Sequence, residues 1–200
     1  MWQNICIFGN SIGYGVYDYE KWWWVARLRS YLEQKEYDGF IYNCSISGID
    51  TNNILTRFSH ECSVRQGKII IFATGTNDSL YFGSKDKPNT FLDVFQSNIQ
   101  ELIRQARKFT DTIIFVWLTP IDQFLTRPIP WRTTKYYDEE NITSYDSSIR
   151  NICIEQSLLY IPMLDVIEKT DLCDGIHPNA IGHEKMFQRI KDFLISHNIL

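Results

Sequence analysis

Ile5-Cys6-Ile7-Phe8-Gly9-Asn10-Ser11 is an unbroken apolar run that gives way to glycine and two polar residues. Successive side chains of a strand point to opposite faces, so a strand that is apolar at every position must be covered on both sides. β-rich runs recur at Lys68 to Ala73, which leads into Gly75-Thr76-Asn77-Asp78, and at Phe40 to Ile46, Thr112 to Leu118 and Leu159 to Val166, and most of them are continuously apolar. Segments of helical spacing alternate with these runs. They are Trp24, Leu28 and Leu32, then Phe91, Phe95, Ile99, Leu102 and Ala106, then Ile142, Tyr145, Ile149 and Ile152, and finally Met186, Ile190, Phe193 and Leu194. Strand followed by helix, repeated along residues 1–200, predicts one α/β domain: a three-layer α/β/α sandwich around a five-stranded, mainly parallel sheet with right-handed crossovers.

Ligands of such sheets sit outside the carboxyl ends of the strands. The polar clusters fall there. Ser11 follows the first strand, Ser47-Gly48 the second and Asn77 the third, while His177 stands between the fifth strand and the last helix. Four loops from separate parts of the chain are therefore expected to converge on one rim. Thr119 to Glu139 is the longest irregular stretch, with three prolines and the aromatic residues Phe124, Trp131, Tyr136 and Tyr137. A loop of that length is expected to be a lid, a binding loop or a disordered excursion.

The rim holds the parts of an acyl-transfer site: a serine, an imidazole with a carboxylate three residues ahead of it, and a side-chain amide. Each part has a plainer reading beside it. Ser11 can cap a helix, and Asp174-Gly175-Ile176-His177-Pro178 can be a surface turn. The Asp174–His177 spacing also lets the carboxylate accept from Nδ1 while Nε2 faces a nucleophile. Asn77 reads either as an Asx-turn residue or as a donor to an oxyanion. Asp78 is expected to brace its loop. Tyr81 and Phe82, just beyond it, are candidate substrate contacts, or else a small cluster under the loop. In Trp22-Trp23-Trp24, consecutive helical residues diverge by about 100°, so Trp24, in step with Leu28, is expected in the core and one of the others at the surface.

The order and spacing of these blocks resemble the SGNH hydrolases, also called the GDSL family of esterases and lipases. Gly9-Asn10-Ser11, Gly48, Gly75-Thr76-Asn77-Asp78 and Asp174-Gly175-Ile176-His177 carry the resemblance, which spans nearly the whole chain. It implies a flavodoxin-like SGNH hydrolase fold and a serine ester hydrolase, an esterase, deacetylase or thioesterase working through an acyl-enzyme on a small or short-chain acyl ester. Ser11 is then the nucleophile, His177 the base and Asp174 its orienter, with Ser11, Gly48 and Asn77 forming the oxyanion hole. Asn10 stands where the family usually has Asp. The triad carboxylate belongs to the Asp-x-x-His block, so Asn10 leaves it in place but removes a charge beside the nucleophile. Ile12-Gly13-Tyr14-Gly15 also departs from the family's leucine-containing block. A non-catalytic module holding a carboxylate or sugar on the same rim is the competing reading; a nucleotide-binding variant lacks any P-loop or GxGxxG string.

Composition narrows the partners. The 200 residues are 44% apolar and 22% charged, with a formal net charge of −4 and no lysine and arginine stripe, which gives no electrostatic reason to bind nucleic acid. The five cysteines form no CxxC pair, and Cys6 and Cys44 lie inside apolar runs, where a free thiol behaves as a small hydrophobe. Neither a metal nor an organic cofactor is called for. No apolar stretch approaches the roughly 20 residues of a membrane span, and Met1-Trp2-Gln3-Asn4 lacks the features of a signal peptide. A cytoplasmic location follows as the expectation.

Overall fold

The structure, a computed structural model, describes residues 2–200. Its elements run β1 (Ile5–Gly9), α1 (Ser11–Tyr14), α2 (Trp24–Gln34), β2 (Ile41–Asn43), α3 (Thr51–Arg65), β3 (Ile69–Ala73), α4 (Thr76–Ser79) and β4 (Tyr81–Phe82). They continue with α5 (Leu92–Ala106), β5 (Ile113–Val116), α6 (Gln123–Thr126), β6 (Lys135–Tyr136), α7 (Glu139–Glu155), β7 (Leu159–Ile161), a 3-10 turn at Lys169–Asp171, and α8 (Ala180–Ser196).

Five strands form one parallel sheet in the order β2-β1-β3-β5-β7. The register pairs Ile5 with both Ile41 and Ile69, Ile70 with Ile113, and Ile114 with Leu159. The apolar runs divide by parity as a pleated strand requires. Cys6, Phe8, Ile70, Phe72 and Phe115 face one core layer, with Phe58 of α3, Phe95 and Ile99 of α5 and Ile149 of α7. Ile5, Ile7, Ile71, Ile114 and Val116 face the other, with Trp24 and Leu28 of α2 and Ile190 and Leu194 of α8. The three-layer sandwich is thus built by helices on both faces of the sheet.

Except for β1, the strands are shorter than the runs read from the sequence. β2 covers Ile41–Asn43 rather than Phe40 to Ile46 and is half-buried at the sheet edge. It ends where the Asn43 side chain turns back, accepting from Ser45 N at 3.0 Å and donating to Gly13 O at 2.9 Å. β7 stops at Ile161 because Pro162 has no N–H to continue the ladder. α2 begins at Trp24, so the three tryptophans do not share a helix: Trp24 is fully buried, Trp23 is extended at the N-cap and Trp22 is exposed.

The stretch from Thr119 to Glu139 is ordered. It contains α6 and β6, and β6 pairs antiparallel with β4 in a two-stranded ribbon. Ile121, Thr126, Ile129 and Tyr137 anchor it by burial.

Candidate active site

The sheet order changes direction between β1 and β3, the crevice where open α/β sheets place their ligands. β1 ends at Gly9, and Asn10 caps α1 by accepting from Ile12 N at 3.0 Å. Ser11 is therefore held at the first turn beyond the strand. In the loop before α8, Asp174 Oδ1 accepts from Ile176 N at 2.9 Å and from His177 N at 2.8 Å. Its Oδ2 lies 2.6 Å from His177 Nδ1, and His177 Nε2 lies 2.8 Å from Ser11 Oγ. Ser11 from one part of the chain thus meets His177 and Asp174 from another in a single hydrogen-bonded line of serine, imidazole and carboxylate.

Burial opposes ionisation of Asp174, but the His177 ring and the two backbone amides outweigh it, and the carboxyl pKa falls below its usual value. An ionised carboxylate fixes the proton on Nδ1 and leaves Nε2 free to accept from Ser11. Gly175 has φ +86°, and a Cβ there would come within 2.9 Å of Leu125 and Thr126 side-chain atoms. The Asp174–His177 loop therefore fits directly under α6.

Asn77, on α4 after β3, donates from Nδ2 to Ile49 O at 2.8 Å and accepts at Oδ1 from the Tyr137 hydroxyl at 2.9 Å. These two bonds settle which way the amide faces and leave one Nδ2 hydrogen unspent. The bond to Ile49 also draws Asn77 to the loop holding Gly48. Gly48 has φ +81°, and a Cβ there would meet no atom within 4 Å, so glycine serves the backbone turn and leaves the peptide N–H approachable. Asp78 is fully buried and accepts from Thr51 N at 3.1 Å and Thr51 Oγ1 at 2.5 Å, so it braces the start of α3.

Tyr81 and Phe82 form β4. The Tyr81 ring is buried and stacks on Tyr136 at 5.4 Å, while half-exposed Phe82 lies under Lys135 Nζ. The aromatic ring against the imidazole is another one: Tyr17, 5.2 Å from the His177 ring. Neither Tyr17 nor Tyr137 stands out in the sequence as a site residue. Tyr137 reaches Asn77 across 60 positions, and only the aromatic content of its long loop hinted at it.

Tyr137 is buried, and burial, followed by the Asp174 and Asp78 carboxylates, pushes its hydroxyl pKa well above the ordinary tyrosine value. It stays a neutral donor. With Asn77 as the oxyanion donor that the family resemblance implies, Tyr137→Phe is expected to lower kcat by about tenfold with little change in KM, because the freed amide can rotate its donor away. Steady-state kinetics on a small acetate ester check this. A rise in KM at unchanged kcat would show that Tyr137 serves ground-state binding instead.

His183, one turn into α8, is fully buried, and neither ring nitrogen has a hydrogen-bond partner among the described residues. Burial lowers its pKa from 6.5 to about 4; Asp18 opposes the shift, and Arg27 and His177 add to it. The folded state therefore resists a proton that the unfolded chain accepts, so this contribution is complete above pH 6.5 and is lost as pH falls towards 4. The shift corresponds to roughly 3 kcal/mol. Asp78 and Asp146, both raised to about 6 mainly by burial, favour the folded state as pH falls through the same window. The informative quantity is the difference between wild type and His183→Leu. Urea unfolding at pH 4.5 and 7 is expected to show stability falling more steeply with acid in the wild type, and parallel pH profiles would contradict the assignment.

A family model described as GDSL-like Lipase/Acylhydrolase family matches residues 7–185. No curated protein matches the chain in sequence. Among solved structures, a lipase/acylhydrolase from Enterococcus faecalis is similar at 20% identity over 98% of this chain and 96% of that one, with a TM-score of 0.79. A GDSL-like lipase from Bacteroides thetaiotaomicron aligns at 19% identity over 98% and 89%, with a TM-score of 0.72. An acetylxylan esterase from Geobacillus stearothermophilus aligns at 16% identity over 96% and 92%, with a TM-score of 0.75. At such identities these three establish the fold alone. The family match has wider reach, since it begins within β1 and ends within α8 and so takes in every loop of the crevice: the chain belongs to the GDSL-like lipase/acylhydrolase family.

Proposed function

We propose that the protein is a serine ester hydrolase that cleaves short-chain acyl esters through an acyl-enzyme. Ser11 Oγ attacks the ester carbonyl carbon while His177 Nε2 takes its proton. The carbonyl oxygen, now negative, rests on the N–H groups of Ser11 and Gly48 and on the remaining Nδ2 hydrogen of Asn77. Collapse of the tetrahedral intermediate breaks the bond to the alcohol oxygen, which leaves with the proton from His177. Water then gives a proton to His177 and attacks the acyl-enzyme; collapse of this second intermediate breaks the bond to Ser11 Oγ, which takes the proton back from His177 as the acid leaves.

The observation that carries this reading is the pair of contacts at His177, 2.8 Å to Ser11 Oγ and 2.6 Å to Asp174. The Geobacillus stearothermophilus neighbour, named an acetylxylan esterase, is in keeping with an acetyl group.

Treatment with a fluorophosphonate followed by intact-mass measurement tests the proposal without knowledge of the substrate. One adduct on Ser11 is expected. A folded protein that takes none, beside a control hydrolase that does, would favour the non-catalytic binding module.

A further inference from the structure

His177 has to deliver its proton to the departing alcohol, so the alcohol half of the ester lies beside the imidazole and the acyl half on the far side of the reacting carbon. What lines the imidazole therefore meets the alcohol. Three aromatic side chains stand there in series. The Tyr17 ring is tilted 51° against His177 at 5.2 Å. Trp131 lies 6.1 Å from Tyr17, and Tyr19 lies 6.5 Å from it edge-on. Tyr17 is 37%, Trp131 52% and Tyr19 83% exposed.

These rings are held in place from below. Tyr17 has φ +64°, an uncommon conformation for a residue with a side chain. The turn that carries it is fixed by Val16 N donating to Ser11 O at 3.0 Å and by Cys173 Sγ donating to Tyr17 O at 3.5 Å. Trp131 rides on a turn closed by Arg132 N to Ile129 O at 3.2 Å and Ile129 N to Lys135 O at 3.0 Å, with Ile129 buried beneath it. The two turns lie far apart in the sequence, and they bring Trp131 against the ring of Tyr17, which itself lies against His177.

We propose that Tyr17, Tyr19 and Trp131 form the subsite for the leaving alcohol, and that this alcohol is a sugar ring. The inference rests on the serine-esterase reading above. The rings stay partly in water, so whatever they hold also keeps one face in water. A pyranose suits that arrangement, with C–H groups on the face against the rings and hydroxyls turned to solvent. An alkyl alcohol laid there would leave half of its apolar surface wet and lose much of the gain from burial. Tyrosine hydroxyls beside the ring faces add donors and acceptors for sugar hydroxyls.

The test compares kcat/KM for an O-acetylated methyl glucopyranoside with that for ethyl acetate, so that the acyl group is constant and only the alcohol changes. Tyr17 touches His177, so the variants are Trp131→Ala and Trp131→Phe. Trp131→Ala is expected to reduce the pyranoside to ethyl acetate ratio about tenfold, mainly through KM, and Trp131→Phe to retain most of it. An unchanged ratio overturns the proposal. So does a loss that appears with ethyl hexanoate or phenyl acetate while the pyranoside ratio holds, because the rings would then serve an acyl chain or a flat aromatic alcohol. Fluorophosphonate capture at wild-type Ser11 separates the two levels: without it the esterase reading itself fails, and with it an unchanged ratio counts against the sugar subsite alone.

Discussion

Ser11→Ala is expected to lower kcat by about 10⁶-fold and to take no fluorophosphonate adduct. Among the described residues, Ser11 Oγ is the only oxygen hydrogen-bonded to His177 Nε2, at 2.8 Å, and alanine leaves the imidazole with nothing to deprotonate but water. His177→Ala is expected to cost about as much, and the double variant no more than either single one, because a nucleophile without its base and a base without its nucleophile are equally idle. That non-additivity distinguishes a cooperating pair from two residues that each merely help to bind. A loss of tenfold or less in Ser11→Ala, with the protein folded, would remove Ser11 from the reaction. Residual turnover in the variants is expected from the Gly48 N–H and the Asn77 amide, which do not depend on the serine side chain.

Asp174→Asn is expected to lower kcat by about 10⁴-fold while leaving the fold intact. Asp174 serves two ends at once: Oδ1 holds the backbone of Ile176 and His177, and Oδ2 holds the imidazole. An asparagine can keep its oxygen on the two amides and the loop with it. Its NH2 group then faces Nδ1, which must become an acceptor, and the ring proton moves to Nε2, pointing at Ser11. The base is present but carries its proton in the wrong place. Asp174→Ala removes the loop's clasp as well, so it is expected to unfold at lower temperature than Asp174→Asn. Differential scanning calorimetry beside the kinetics checks both halves. Equal activities for wild type and Asp174→Asn would show that the carboxylate only positions the loop.

Much of this architecture was legible in the chain. β1 and β3 announce themselves because central parallel strands are apolar at every position, and their polar ends mark the crevice without any knowledge of contacts. The spacing from Asp174 to His177 was readable for a local reason: three residues are enough for a carboxylate to reach both a backbone amide and a ring. α3 was harder. Its buried stripe is only Thr51, Ile54, Phe58 and Cys62 in a largely polar segment, and its clearest signal is the Asp50 cap with Asn53. The irregular stretch from Thr119 to Glu139 gave away its aromatic content but not its order, since its strand exists only through pairing with β4. For the same reason the sequence does not mark Tyr137 or Tyr17 as a site residue, since each takes its place from a neighbour 60 or more positions away.

Ser11 and His177 stand 166 residues apart, one at the end of the first strand and the other just before the last helix. During synthesis Ser11 therefore emerges 166 residues ahead of the imidazole that faces it. On the proposed mechanism, a nascent chain released before position 177 is expected to carry an unactivated alcohol and to be inert towards esters, however well its sheet has formed.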